Sequence, residues 1–263
     1  VTQRDVIADL TAEGEEIEAM LAGLADDAWD QPSPAPGWTV AHQVAHLAFI
    51  FRLAGTAAAE PEVFKAMAAQ AAGDFEGAVN AALGLYLGTP PNVLLSRWRE
   101  ERDTAIKALA AVPADQVVPW LVRPLPPAVL ACAGMMELFA HGQDVADAVG
   151  VTREYTDRLW HVAWFATLVW DFGYQSRALP TPDVQYRYEL TAPSGATWEF
   201  GPADAEQRIT GPAEDFCLLV TRRRHRDDLA LKAVGRDAEY WLEIAQAYRG
   251  PAGEGRRPGQ FKA

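Results

Sequence analysis

Pro36-Gly37-Trp38-Thr39-Val40-Ala41-His42-Gln43-Val44-Ala45-His46-Leu47 carries the chain out of a Pro-rich breaker, residues 31 to 37, and into a helix. Thr39 is a suitable N-cap, because its hydroxyl can accept from the first free backbone N–H groups. The run continues apolar to about Ala58, with Val40, Val44, Leu47, Phe49 and Ile50 around the histidines. His46 falls close to the core-facing side. An imidazole buried there needs a partner for each ring nitrogen.

Outward from this stretch, apolar residues recur at helical spacing. Val6, Ile7, Leu10, Ile17, Met20, Leu21 and Leu24 form one stripe over Thr2 to Leu24. Short helices are expected between Pro61 and Gly88, then a long one from Asn92 to Ala111 with Val93, Leu94, Trp98, Ile106 and Leu109 as its apolar face. Arg97, Arg99, Glu100, Glu101, Arg102 and Asp103 interleave acids and bases and read as a solvated face. A further helix is expected from about Ala128 to Val149, stopped by Gly150. An aromatic helix follows over Thr152 to Ala178.

The periodicity changes near Pro180. Val184, Tyr186, Tyr188 and Leu190 alternate with polar residues, Pro193-Ser194-Gly195 is a turn, and Thr197 to Phe200 returns as a partner strand. Gln207 to Thr210 reads as a third strand, and Pro212 to Thr221 and Asp237 to Tyr248 as helices. The expected class is therefore α+β: an all-α four-helix bundle over residues 1–178, a small α/β domain over 180–250, and a mobile tail over 251–263.

The chain has 263 residues and a net charge of −13. That sign disfavours phosphate backbones and anionic lipid, so neither nucleic acid nor membrane is an expected partner. No apolar run reaches the roughly 20 residues of a membrane-spanning helix, and the N-terminus shows no signal peptide. A cytoplasmic location is expected. Self-association as a homodimer is the one macromolecular partnership left open. The two cysteines, Cys132 and Cys217, are far apart and read as buried core thiols.

In the fourth long helix, Glu137-Leu138-Phe139-Ala140-His141 places a carboxylate and an imidazole one turn apart on one face. Such a pair alone is usually a surface pair. Joined by His46 it gives two nitrogens and one carboxylate, a set that leaves coordination positions open, as catalytic sites do. The donors suit Zn²⁺ first, with Ni²⁺, Co²⁺ or Fe²⁺ as alternatives.

These two segments together resemble the signature of the DinB/YfiT-like superfamily and, more narrowly, of the mycothiol-dependent maleylpyruvate isomerase family. Members open the second helix with a W-[ST]-V motif that runs to A-H-L. Later they carry E-x₃-H, here continued as His141-Gly142-Gln143-Asp144-Val145-Ala146-Asp147-Ala148. The resemblance implies a DinB-like bundle with His46, Glu137 and His141 as metal ligands. It leaves His42 outside the ligand positions and offers Asp144 as an outer support. Two-domain members can place an arginine of the appended domain near the metal. Arg222, Arg223 and Arg224 are the candidates here, with Arg223 taken as the catalytic one; basic residues closing a helix are the equal alternative.

What the resemblance implies for function is a metal-dependent thiol S-transferase or isomerase, with mycothiol as the thiol and a small electrophile as substrate. In an isomerase, thiol addition to a double bond permits rotation before the thiol leaves. Two other readings stay open: a thiol-independent metal-dependent hydrolase or lyase, and a non-catalytic small-molecule-binding protein.

Overall fold

A computed structural model describes residues 3–71 and 73–261. The expected helix start at Thr2 and the last two residues of the expected tail lie outside them. The chain divides into two compact units, residues 1–152 and 153–263.

The first unit is built on four long helices: α1 (Gln3–Ala22), α2 (Val40–Ala59), α5 (Pro91–Ala111) and α6 (Pro127–Val149). Two shorter ones, α3 (Pro61–Ala71) and α4 (Phe75–Leu83), intervene. Helix α2 packs on α5 and α6, and α1 packs on the same two, which closes the bundle. The α1 stripe buries Val6, Leu10, Ile17 and Leu21, and α2 buries Val40, Val44, Leu47 and Phe51. Helices α2 and α5 meet closely at Gly55, where a Cβ would stand 3.2 Å from the Ala105 Cα. Helix α6 stops at Gly150, whose φ of 70° lies in the left-handed region that Gly enters without strain.

The α5 face departs from its sequence reading at Arg102. It is only 4% exposed. Its Nη1 sits 2.9 Å from Glu18 Oε2 and its guanidinium lies 5.1 Å over the Trp98 ring. Gly14 provides the gap, since a Cβ there would stand 2.6 Å from the Arg102 Cδ. A paired, hydrogen-bonded cation can be buried where a lone one cannot.

In the second unit the aromatic segment is broken into α7 (Leu159–Leu168) and α8 (Phe172–Gln175). The strands β1 (Tyr186–Thr191), β2 (Thr197–Phe200), β3 (Gln207–Pro212) and β4 (Lys232–Val234) form one sheet in the order β2-β1-β3-β4. β1 pairs antiparallel with β2 (Tyr188 opposite Phe200) and parallel with β3 (Tyr188 opposite Ile209). Helices α9 (Ala213–Val220) and α10 (Arg236–Ile244) pack against it. No helix among the described residues is long and apolar enough to cross a membrane.

The unit boundary falls after Thr152, not near residue 178, because α7 and α8 share their core with the sheet. Trp160 stacks on Trp164 and meets Phe200, and the Cys217 thiol faces the Leu159 carbonyl. The Trp241 indole donates to the Trp170 carbonyl at 2.8 Å. The terminal segment lies against its own unit. Gly259 N donates to both carboxylate oxygens of Asp228, at 2.8 and 2.9 Å, and Arg224 sits 4.6 Å over the Phe261 ring.

The buried Arg102 ion pair generates a prediction. A hydrogen bond from Arg99 holds the Glu18 carboxyl below its ordinary value, burial opposes this, and Arg102 lowers it further. A lowered folded-state value means stability that is fully present above the ordinary carboxylate range and lost as pH falls through it. Glu18→Gln should lose on the order of 1–3 kcal/mol at pH 7 and show a shallower acid limb, as urea unfolding across pH will measure.

Candidate metal centre

Helix α2 supplies His46 and helix α6 supplies Glu137 and His141. The α2–α6 packing turns them toward each other: His46 Nε2 lies 3.4 Å and His141 Nε2 3.2 Å from the same Glu137 oxygen, Oε2. One ligand atom from each residue can be chosen so that all three lie within 4.8 Å of one another. Among the described residues this is the only His, Cys, Asp or Glu group with that property. The two imidazole centroids are 4.4 Å apart. The three side chains are 18%, 18% and 13% exposed, so the cluster is sheltered but not sealed from solvent.

Burial pushes the Glu137 carboxyl up, but the hydrogen bonds and positive charge that His141 and His46 offer in their protonated forms outweigh it. The net effect holds Glu137 well below the usual carboxylate range. Two imidazoles around an ionised carboxylate form an anionic donor set. The residues therefore fit a divalent cation in both atom type and charge.

Two neighbours carry no sequence signal of their place here. Gln43 is fully buried, and its Oε1 lies 2.5 Å from His141 Nδ1. Its Nε2 donates to Ser33 Oγ at 2.8 Å, and that hydroxyl donates to the Trp38 carbonyl at 3.0 Å. The Trp38 ring covers both imidazoles, 5.5 Å from His46 and 6.1 Å from His141, stacked on the latter at 22°. A helical glutamine is ordinarily a surface residue, and a Trp before an N-cap ordinarily reads as a staple. Only the loop's return over α2 reveals either role.

His42 closes the start of α2: its Nδ1 accepts from the Thr39 N–H at 3.2 Å and lies 2.9 Å from the Thr39 hydroxyl. Asp144 is buried on α6. Arg223 belongs to the second unit, where its Nη1 donates to the Thr221 carbonyl at 2.6 Å. The run closes α9: Arg222 takes a left-handed φ of 60°, and Arg223 N donates back to the Leu218 carbonyl at 2.8 Å.

Residues 10–146, just over half of the chain, match the Mycothiol maleylpyruvate isomerase N-terminal domain. The chain belongs to that family. The matched segment contains all three converging residues of this mycothiol maleylpyruvate isomerase family member. Residues 185–234 also match a domain described as Wyosine base formation. Two uncharacterized proteins of Mycobacterium tuberculosis, from strains CDC 1551 / Oshkosh and H37Rv, are each 44% identical over 250 residues. Each alignment covers 95% of this chain and 97% of the relative. Crystal structures of the mycothiol-dependent maleylpyruvate isomerase and of a mutant of it share the fold, with TM-scores of 0.56 and 0.55. Both are 14% identical and cover 83% of this chain and 88% of theirs.

The cap at His42 separates this family member's scaffold from its cluster. His42→Ala should cost about 1 kcal/mol of stability, the usual worth of a cap, while leaving the His46 and His141 ring signals in an NMR spectrum in place.

Proposed function

We propose that this chain is a metal-dependent enzyme of the mycothiol maleylpyruvate isomerase family, with His46, Glu137 and His141 holding one divalent ion, Zn²⁺ in first place. The reaction class is thiol S-transfer to, or thiol-assisted isomerisation of, a small electrophile, and mycothiol is the thiol. The observation that carries this reading is the convergence of two imidazole nitrogens on one carboxylate oxygen from two separate helices. Family membership supports the thiol chemistry. A bound divalent ion supplies the acidity that keeps a coordinating thiol ionised at neutral pH, where a free thiol, with a pKa of about 8.5, is mostly protonated.

The chain's own residues do the rest. Glu137 stays ionised and offsets part of the cation's charge. The two imidazoles must be neutral to ligate, so acid competes for the same lone pairs. Trp38 lays an apolar face against one side of the cluster and keeps water from it, so that charge interactions inside are screened less than in bulk. With three protein ligands, coordination positions remain for the thiol or the substrate. Arg223, proposed as the residue that meets an anionic group of the substrate, has the planar fork that binds carboxylate in a bidentate manner.

The test is elemental analysis of protein purified without chelator, followed by turnover assays with and without a low-molecular-weight thiol. One metal per chain is expected in the wild type, and a sharp loss in His46→Ala and in His141→Ala with helix content unchanged by circular dichroism. Full occupancy in both variants would reject the site. Turnover that ignores the thiol would replace the transferase reading with a hydrolase or lyase. Metal should also be released as pH drops below about 6, measurable by dialysis against a zinc indicator.

A further inference from the structure

The hydrogen bonds around His141 have a direction that can be traced from one end. The Trp38 carbonyl can only accept, so the Ser33 hydroxyl, 3.0 Å away, spends its proton there. The Ser33 oxygen is then left as an acceptor. The group facing it at 2.8 Å must donate, which makes it the Nε2 amide end of Gln43. That orientation points Gln43 Oε1, which has no proton to give, at His141 Nδ1 2.5 Å away. His141 Nδ1 must therefore carry the hydrogen, and in the neutral ring the lone pair sits on Nε2. This is the nitrogen 3.2 Å from the Glu137 oxygen. A lone pair and a carboxylate oxygen facing each other at that distance require a cation or a proton between them.

We infer that Gln43 is a positioning residue: held by Ser33 and the Trp38 carbonyl, it locks His141 in the Nδ1–H tautomer and presents Nε2 as a ready ligand. The inference rests on the proposed metal site for its purpose but on the hydrogen-bond chain alone for its geometry. His46 offers the contrast. Its Nδ1 is buried with no hydrogen-bond partner, and its Nε2 faces the Glu137 oxygen at 3.4 Å, so before a ligand arrives the neutral ring favours a hydrogen on Nε2, the nitrogen that would have to ligate. The two histidines are thus unequal: His141 is preset and His46 is recruited. The loop that carries the chain's first link also carries the Trp38 ring over both imidazoles. The position of that wall and the tautomer of the ligand are set by one loop conformation.

The experiment reads the tautomer directly, by long-range ¹H–¹⁵N correlation of the histidine rings in the metal-free full-length protein at a pH where they are neutral. The His141 signals are assigned by their absence in His141→Ala. Zn²⁺ affinity is measured in parallel by competition with a chromophoric chelator. Wild type should show His141 as Nδ1–H. Gln43→Leu should lose that preference and weaken Zn²⁺ binding roughly 10–100-fold, the usual effect of removing a ligand's outer partner. Gln43→Glu keeps an acceptor toward Nδ1 and should keep the tautomer and stay within a few-fold of wild-type affinity. Ser33→Ala cuts the chain one link earlier without touching the bundle core. It should lower the Nδ1–H population and so keeps the inference testable if Gln43→Leu fails to fold.

An Nε2–H tautomer in wild type, or unchanged tautomer and affinity in both Gln43→Leu and Ser33→Ala, would overturn the inference. The metal reading fails separately: a wild type that takes up no Zn²⁺ while showing Nδ1–H leaves the relay standing and removes the site's proposed purpose. Zn²⁺ uptake that depends on His46 and His141 but not on Gln43 does the reverse.

Discussion

One carboxylate oxygen, Glu137 Oε2, is shared by imidazoles from two different helices, and most of the first unit can be understood as what holds that arrangement in place. Burying an anion without partners costs several kcal/mol, so Glu137 is tolerable only while His46 and His141 stay within reach. The reach is set by helix packing. Glu137 and His141 are one turn apart on α6 and cannot separate. His46 rides on α2, and α2 is held from its other side by α5 through the Gly55–Ala105 approach. The convergence of the three side chains is therefore a property of the bundle, and the loop before α2 covers it and holds Gln43 against His141.

The bundle's outline was legible in the sequence because its signals are strong and local. The α1 and α2 stripes, the stop at Gly150 and the alternation through Tyr186, Tyr188 and Leu190 each obey a fixed period or a single residue's conformational preference. The pair of motifs that place His46, Glu137 and His141 were legible for a similar reason. Helical spacing put two residues on one face, and an apolar setting put the third toward the core.

What escaped the sequence depended on partners remote along the chain. Arg102 looks solvated among charged neighbours, and its pairing with Glu18 and Asp103 and the space at Gly14 make its burial tolerable. Helix α7 carries no mark of which unit its aromatics will join, because apolar periodicity names a buried face without naming the surface that buries it. β4 has three residues, too few for alternation to show. The Gly- and Pro-rich terminal segment has the composition of a loose end, yet Asp228 and Arg224 offer it a carboxylate and a cation to settle on. Gln43 is the sharpest case: its role follows from two hydrogen bonds to residues 10 and 98 positions away, which no local pattern encodes.

Residue 38 serves the site twice, through its indole and through its main-chain oxygen, and the two uses are separable. The oxygen is present whatever side chain stands there. Divergence at this position can thus resize or repolarise the cover over the two imidazoles while the proton order along Ser33, Gln43 and His141 is preserved. Tolerance of side-chain change is built into the one position where the cover and the hydrogen-bond chain are joined, leaving the cover free to change without retuning the His141 nitrogen that faces Glu137.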